Sequence, residues 1–207
     1  MSFGRKAQVQ AISLVLISGI VITLAGAAYM WGKPLIEKRS TITDVAAAES
    51  FVIQLDKEII DVTRNGGEKG LSIPNLRGSS ISIDAQDNSI TYRFIIDQPM
   101  LTVGQRTVPI PIETTSIDPI GVYGESPRII TLEASKDQSR FIMLLKLKYR
   151  ELDVDSPPKK GYKIVLLPSG TSGVEKITVS NGGMETLSGG AANGGDLVMT
   201  MVTADLS

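Results

Sequence analysis

The spacing of apolar and polar positions changes character twice along the chain. From Ala7 to Gly32, 26 residues pass without a charge. The apolar part, Val9 to Trp31, would span roughly 34 Å as a helix at about 1.5 Å per residue, and a bilayer core is roughly 30 Å thick. Arg5 and Lys6 precede the stretch and would hold its start on the cytoplasmic side. Tyr29 and Trp31 stand at its far end, where amphipathic rings favour the headgroup zone, and Lys33 closes it. The pattern predicts a single helix crossing with the bulk of the chain outside.

Pro34 removes a helical hydrogen bond, so a kink or short break is expected there. Leu35 to Thr63 reads as helix again. Val45-Ala46, Val52-Ile53 and Ile59-Ile60 recur every seven residues, with Glu49, Asp56, Lys57 and Asp61 elsewhere on the surface. Val45, Val52, Ile53, Ile59 and Ile60 are therefore expected to pack this helix on its own domain. Asn65-Gly66-Gly67 supplies the stop.

After Gly70 the period becomes two. Ile90, Tyr92, Phe94 and Ile96 alternate with Thr91, Arg93 and Ile95, while Phe141, Met143, Leu145, Leu147 and Tyr149 alternate with Lys146, Lys148 and Arg150. Further strands are expected over 80–84, 128–133, 162–167, 175–179 and 196–204. Turn signals lie at Asp87-Asn88, Ser135-Lys136-Asp137, Ser156-Pro157-Pro158 and Pro168-Ser169-Gly170. The segment Pro99 to Pro127 is expected to be irregular or edge-forming, and the Gly-rich stretch Asn181 to Gly195 to be an exposed connector. The expected fold class is α+β: a long N-terminal hydrophobic helix followed by an antiparallel β-sandwich-like head. Three parts follow, 1–7, 8–64 as helix, and a globular head over 71–207.

Composition narrows the function classes. Lys and Arg number 21 against 22 Asp and Glu, a net charge of −1. No basic stripe suited to phosphates appears, so no nucleic-acid partner is expected. The chain has no cysteine and no histidine. Disulfides, thiolate metal sites and thiol nucleophiles are excluded, and the commonest general base and metal ligand are missing. Asp84-Ala85-Gln86-Asp87-Asn88 lacks the glycine and closing Glu of a calcium loop and reads as a hairpin turn. Asp153 and Asp155 read the same way. The Gly-rich runs lack the Lys-Ser/Thr of a phosphate loop. No enzyme activity, metal or cofactor is expected. Asn65, Asn75, Asn88, Asn181 and Asn193 all lack the N-glycosylation signal.

Three readings of the first thirty residues compete. An ordinary signal peptidase could cut after Ala25-Gly26-Ala27, releasing a secreted β-domain. An uncleaved helix could anchor a surface binding protein. A short basic leader could be removed at its junction with the helix, which then stays. The residues favour the third. The helix carries Gln8, Gln10, Ser13, Ser18 and Thr23, which a plain anchor does not need. Ile12, Leu16, Gly19, Thr23, Gly26 and Ala27 form a stripe in which small residues would let helix backbones approach closely.

The run from Gly4 to Leu16, GRKAQVQAISLVL, resembles the class III signal of archaeal type IV pilins and archaellins. The resemblance covers about the first 35 residues. It implies Arg5 and Lys6 as the basic pair, Ala7 as the last leader residue and Gln8 as the new N-terminus. Ser13 matches a hydroxyl residue common early in that helix. Ile12 departs from the pattern, standing at the fifth mature position where many type IV pilins hold Glu. The implied partners are a prepilin peptidase, the pilus assembly machinery, the membrane before assembly, and further copies of the same chain. The implied product is an extracellular filament with the heads as its outer surface, serving adhesion or motility. A singly anchored or minor pilin-like protein would share the same leader.

Overall fold

A computed structural model describes residues 3–97, 106–107, 118–137, 140–169 and 175–207. Helix α1 (Phe3–Asn65) is continuous through Pro34, so of the expected kink or short break the break is not there. A proline's missing N–H costs one rung of the ladder, and the turns on either side carry the helix across. The helix ends where the sequence places its stop. Gly66 adopts φ +72° and its N–H donates to the Val62 carbonyl at 3.0 Å, an end that favours glycine.

The chain divides into two compact units within α1, residues 1–42 and 43–207. The second part of the helix therefore belongs with the strands in one compact unit.

Among the described residues, eleven strands complete the second unit. They are β1 (Glu68–Ser72), β2 (Ser80–Asp84), β3 (Ser89–Ile96), β4 (Arg106–Thr107), β5 (Ile120–Val122), β6 (Arg128–Asp137), β7 (Arg140–Tyr149), β8 (Glu151–Val154), β9 (Lys160–Ser169), β10 (Lys176–Leu187) and β11 (Asp196–Leu206). A five-stranded sheet runs β2-β3-β7-β6-β4, antiparallel throughout. A six-stranded sheet runs β1-β10-β11-β9-β8-β5 and is mixed, because β11 pairs parallel with β9 and β5 parallel with β8. The fold is α+β with a β-rich head, and the second sheet departs from a purely antiparallel arrangement. Lys136 and Asp137 lie in β6 and Pro168 and Ser169 in β9, so those expected turns begin later than the sequence suggests. Of the segment 99–127, residues 99–105 and 108–117 lie outside the described residues, as does Gly170.

One apolar core takes side chains from both sheets and from the helix. The helical contribution is Val45, Ala48, Phe51, Val52, Leu55, Ile59 and Val62, spaced three and four apart as one face of a helix requires. The five-stranded sheet adds alternating positions such as Tyr92 and Phe94 on β3 and Met143, Leu145 and Leu147 on β7, each essentially without solvent exposure. The six-stranded sheet adds Leu166, Ile177, Val179, Val202 and Ala204. Phe51 meets Tyr92 with ring centroids 5.4 Å apart, and Tyr92 meets Phe94 at 5.7 Å. Such offset contacts add to area burial.

The Gly-rich stretch is not a plain connector. Residues 181–187 continue β10 against β11, with a bulge between Asn181 and Gly183 where the register shifts. Gly183 holds φ +96° there, which an L residue rarely adopts. Only residues 188–195 form the connection to β11. Asn181 donates from its side chain to the Val62 carbonyl at 2.9 Å, tying the end of the helix to the bulge.

Candidate functional site

The first unit presents a surface of one chemical kind. Thirteen large apolar side chains between Leu14 and Ile36 are each more than half exposed, from Leu35 at 53% to Met30 at 79%. Each is worth about 1.5–3 kcal/mol when fully buried, so together they oppose exposure to water by tens of kcal/mol. Isolated exposed apolar residues are ordinary, but a contiguous set of this size marks a surface with a partner or a membrane. The helix is long and apolar enough to cross a membrane.

Two hydroxyls along this stretch are already satisfied. Ser18 Oγ donates to the Leu14 carbonyl and Thr23 Oγ1 to the Gly19 carbonyl, each at 2.8 Å. Back-bonding of this kind leaves no hydroxyl proton facing outward. It makes the helix surface acceptable to lipid or to a second helix, where an unmade hydrogen bond is costly.

Leu16, Gly19 and Thr23 line a shallow groove together with Val15, Ile20 and Leu24. A Cβ added at Gly19 or Gly26 would meet no atom within 4 Å. These glycines therefore do nothing for the fold of this chain. What they supply is clearance on the outside of the helix. Ala27 continues the same side. Tyr29 and Trp31, two positions apart and so on different sides, are both largely exposed. Lys33 pairs with Glu37 one turn on at 3.6 Å, closing the uncharged stretch with a surface ion pair. Arg5, Lys6, Ala7, Gln8 and Ile12 fall within α1 by backbone, and their side chains lie outside the described residues.

The second unit has a different chemistry, enclosed rather than presented. Of the residues expected to pack the helix on the head, Val45, Val52 and Ile59 are buried, Ile60 is half-buried, and Ile53 is exposed at 36%. The seven-residue repeat of adjacent apolar pairs concealed which member turns inward. The stripe is completed by Ala48, Phe51, Leu55 and Val62. Asp56, expected on the surface, has no exposure. Its Oδ1 accepts from the Tyr149 hydroxyl at 2.9 Å, and its Oδ2 pairs with Arg128. Burial pushes the Asp56 carboxyl above its usual range despite the opposing pull of Arg128 and Tyr149. Burial, with Asp56 beside it, pushes the Tyr149 hydroxyl well above its usual value. This triad joins the helix to β6 and β7.

Asn88 is a second enclosed linker. It lies just after the β2–β3 turn, where Asp84 Oδ1 accepts from the Gln86 and Asp87 amides at 2.9 and 3.1 Å, as expected of an Asp-initiated turn. Its Nδ2 donates to the Tyr149 and Ile164 carbonyls at 3.1 and 2.6 Å, and its Oδ1 accepts from the Leu166 amide at 2.8 Å. One side chain thereby bridges the two sheets. Arg150, fully buried, donates to Glu125 Oε2 at 3.0 Å and to the Ser126 carbonyl at 3.1 Å. Glu151 and Asp153 form a carboxyl pair at the β8–β9 hairpin, and burial and Glu151 together push Asp153 upward. Among the described residues no group of three or more Asp or Glu is disposed to hold a metal.

No family model, no curated protein and no solved structure matches this chain.

Proposed function

We propose that the chain is a structural subunit of an extracellular filament of the archaeal type IV pilin kind. The observation that carries this reading is the stretch of α1 from Leu14 to Gly32: uncharged, its large apolar side chains exposed, Ser18 and Thr23 bonded to the helix backbone, and Gly19 and Gly26 open outward. Such a surface suits two environments in turn. In the bilayer, lipid tails solvate it. In a filament, identical helices replace the lipid, and the Gly19 to Ala27 stripe lets their backbones come close. A head-to-tail contact that repeats without closing generates a helical polymer. The resemblance of Arg5-Lys6-Ala7-Gln8 to a prepilin cleavage junction adds the processing step, with removal of residues 1–7 before assembly. The head then forms the outer wall, serving adhesion or motility.

The test is the intact mass of the native protein in material sheared from cells and pelleted as filaments. A mass beginning at Gln8 is the expected result. A chain beginning after Ala27 in the soluble medium would overturn the proposal in favour of a secreted domain. A chain that retains its helix but stays with washed membranes, with none in the sheared pellet, would overturn it in favour of a single anchored protein.

A further inference from the structure

The outer face of the six-stranded sheet brings two carboxyl groups together under a loop. Leu166 and Val202 mark the side turned to the core, and period two places Tyr162 on that side and Gly161 on the other. Register sets Asp153 beside Gly161, and Glu151 shares the same face of β8. A Cβ built at Gly161 would lie 2.9 Å from Glu151 Oε1, 3.1 Å from Asp153 Oδ1 and 2.8 Å from the Ala191 Cβ. The two oxygens therefore converge above the bare Gly161 backbone, no more than about 6 Å apart. Within that range one carboxylate disfavours ionisation of another.

The two groups differ in freedom. Asp153 is only 8% exposed, and its Oδ1 is buried with no hydrogen-bond partner among the described residues. An enclosed acceptor left unmatched is costly, and more so when it is charged. Glu151 is half-buried and can swing toward water. Lys163 stands opposite Glu151, one step on from the Leu152–Tyr162 pair, and Lys159 donates to the Asn193 carbonyl at 3.4 Å. Neither forms an ion pair with Glu151 or Asp153 among the described residues. Asp155 adds a further negative charge, while β5 sets only Ile120 and Val122 beside the pair.

The roof over the pair is the loop 188–195, and Glu151 is one of its fastenings. The Ala192 amide donates to Glu151 Oε1 at 2.7 Å, and buried Ala191 sits over Gly161. Asn193 donates to the Val154 and Lys160 carbonyls at 2.9 and 3.2 Å. At the start of the loop Asp196 accepts from Ser188 and from the Gly189 amide. We propose that Glu151 and Asp153 share one proton and act as an acid-set latch, which holds loop 188–195 on the sheet while the proton is kept and loosens it when the proton leaves. The shared proton gives Asp153 Oδ1 its missing partner and removes one of two adjacent charges. Without it, the repulsion falls on the movable member, so Glu151 turns outward and takes its oxygen from the Ala192 amide. Burial first, and then Glu151, raise the Asp153 carboxyl above its usual range. The latch is thus closed at low pH and opens as pH rises through that raised value. It concerns the second unit alone and holds whether or not the chain polymerises.

The test is hydrogen exchange followed by mass spectrometry on the full chain in detergent micelles, at about pH 4 and about pH 7, with rates corrected for the intrinsic pH dependence of exchange. Protection of the peptide covering 188–195 should fall at least tenfold between the two, while the amides of β3, paired on both sides, keep theirs. Asp153→Asn and Glu151→Gln each put a neutral amide where the proton sat, so each should hold the loop's protection at the higher pH within twofold of its value at the lower. Asp155→Asn, at an exposed position, should leave the tenfold fall in place. Unchanged thermal unfolding shows that each variant is folded, and either amide variant alone suffices. Protection that does not change with pH in the wild type overturns the proposal. So does a fall that survives in the amide variants, or one shared equally by β3, which would be opening of the whole head.

Discussion

Asp56 offers the sharpest probe of how the helix is held to the strands. Its carboxyl is fully enclosed, yet Arg128 keeps 32% of its side chain exposed. Truncation in Asp56→Ala leaves the Tyr149 hydroxyl, itself buried, without an acceptor, a loss of about 1–3 kcal/mol. Arg128 can turn partly to water, so its lost partner costs less than the 3–5 kcal/mol typical when a wholly buried pair is broken. The sum is about 2–4 kcal/mol of destabilisation. Asp56→Asn should behave differently. The raised carboxyl value means that burial outweighs the help of both partners, so the neutral form is the better tolerated one. The amide oxygen still accepts from Tyr149, and the expected cost is below about 1 kcal/mol. The sign of the pH effect follows from the same shift. A carboxyl whose folded value is raised stabilises the fold at low pH, and that contribution is lost as pH rises through the folded value. Asp56→Asn should therefore flatten the stability profile above the ordinary carboxylate range. The assay is urea unfolding in detergent, followed by the ellipticity of the sheets, across pH. If Asn costs as much as Ala, the ion pair and not the hydrogen bond dominates, and the reasoning fails.

Two further outcomes are expected. A Cβ at position 19 meets no atom within 4 Å, and Gly19→Leu removes an entropic cost of roughly 1 kcal/mol in the helix, so membrane insertion should persist while the yield of pelletable polymer falls at least tenfold; unchanged yield would refute close packing at this stripe. Asp87 is held down to about 2 by Lys146 and Lys148, so its contribution is present above the ordinary value near 3.8 and is lost as pH falls toward 2. Because these groups are about one-third exposed, screening limits the effect to about 1 kcal/mol or less, and the difference between wild type and Asp87→Asn in acid unfolding should vanish below about pH 2.

The sequence was most readable where burial has a single period. β3 and β7 each show one buried face, and their alternation of apolar and polar residues marks them without ambiguity. The helix stripe was half-readable: adjacent apolar pairs at 52–53 and 59–60 do not say which member faces inward, and only three-dimensional packing selects Val52 over Ile53. The end of β10 was hidden because residues 183–187 are exposed on both faces, so no apolar alternation exists to detect. Asn181-Gly182-Gly183 carries the composition of a loop while serving as a bulge. The parallel pairing of β9 with β11 leaves no mark in either strand. The enclosed polar linkers Asp56, Asn88 and Arg150 look like surface residues because their partners lie far along the chain: Tyr149 is 93 positions from Asp56, and Leu166 is 78 from Asn88. The open stretch of the first unit was legible because its large apolar side chains from Leu14 to Ile36 are the same residues that the sequence shows as an uncharged apolar run.

The position of β11 dictates the order of events during biogenesis. This strand lies between β10 and β9, with Val202 and Ala204 fully in the core. A chain emerging N-terminus first exposes the Val45 to Val62 stripe before β11 is available to complete the core. The six-stranded sheet must wait for its middle member, because β10 and β9 do not pair with each other. The five-stranded sheet has no such dependence, so the two walls around the helix differ in when they can be completed.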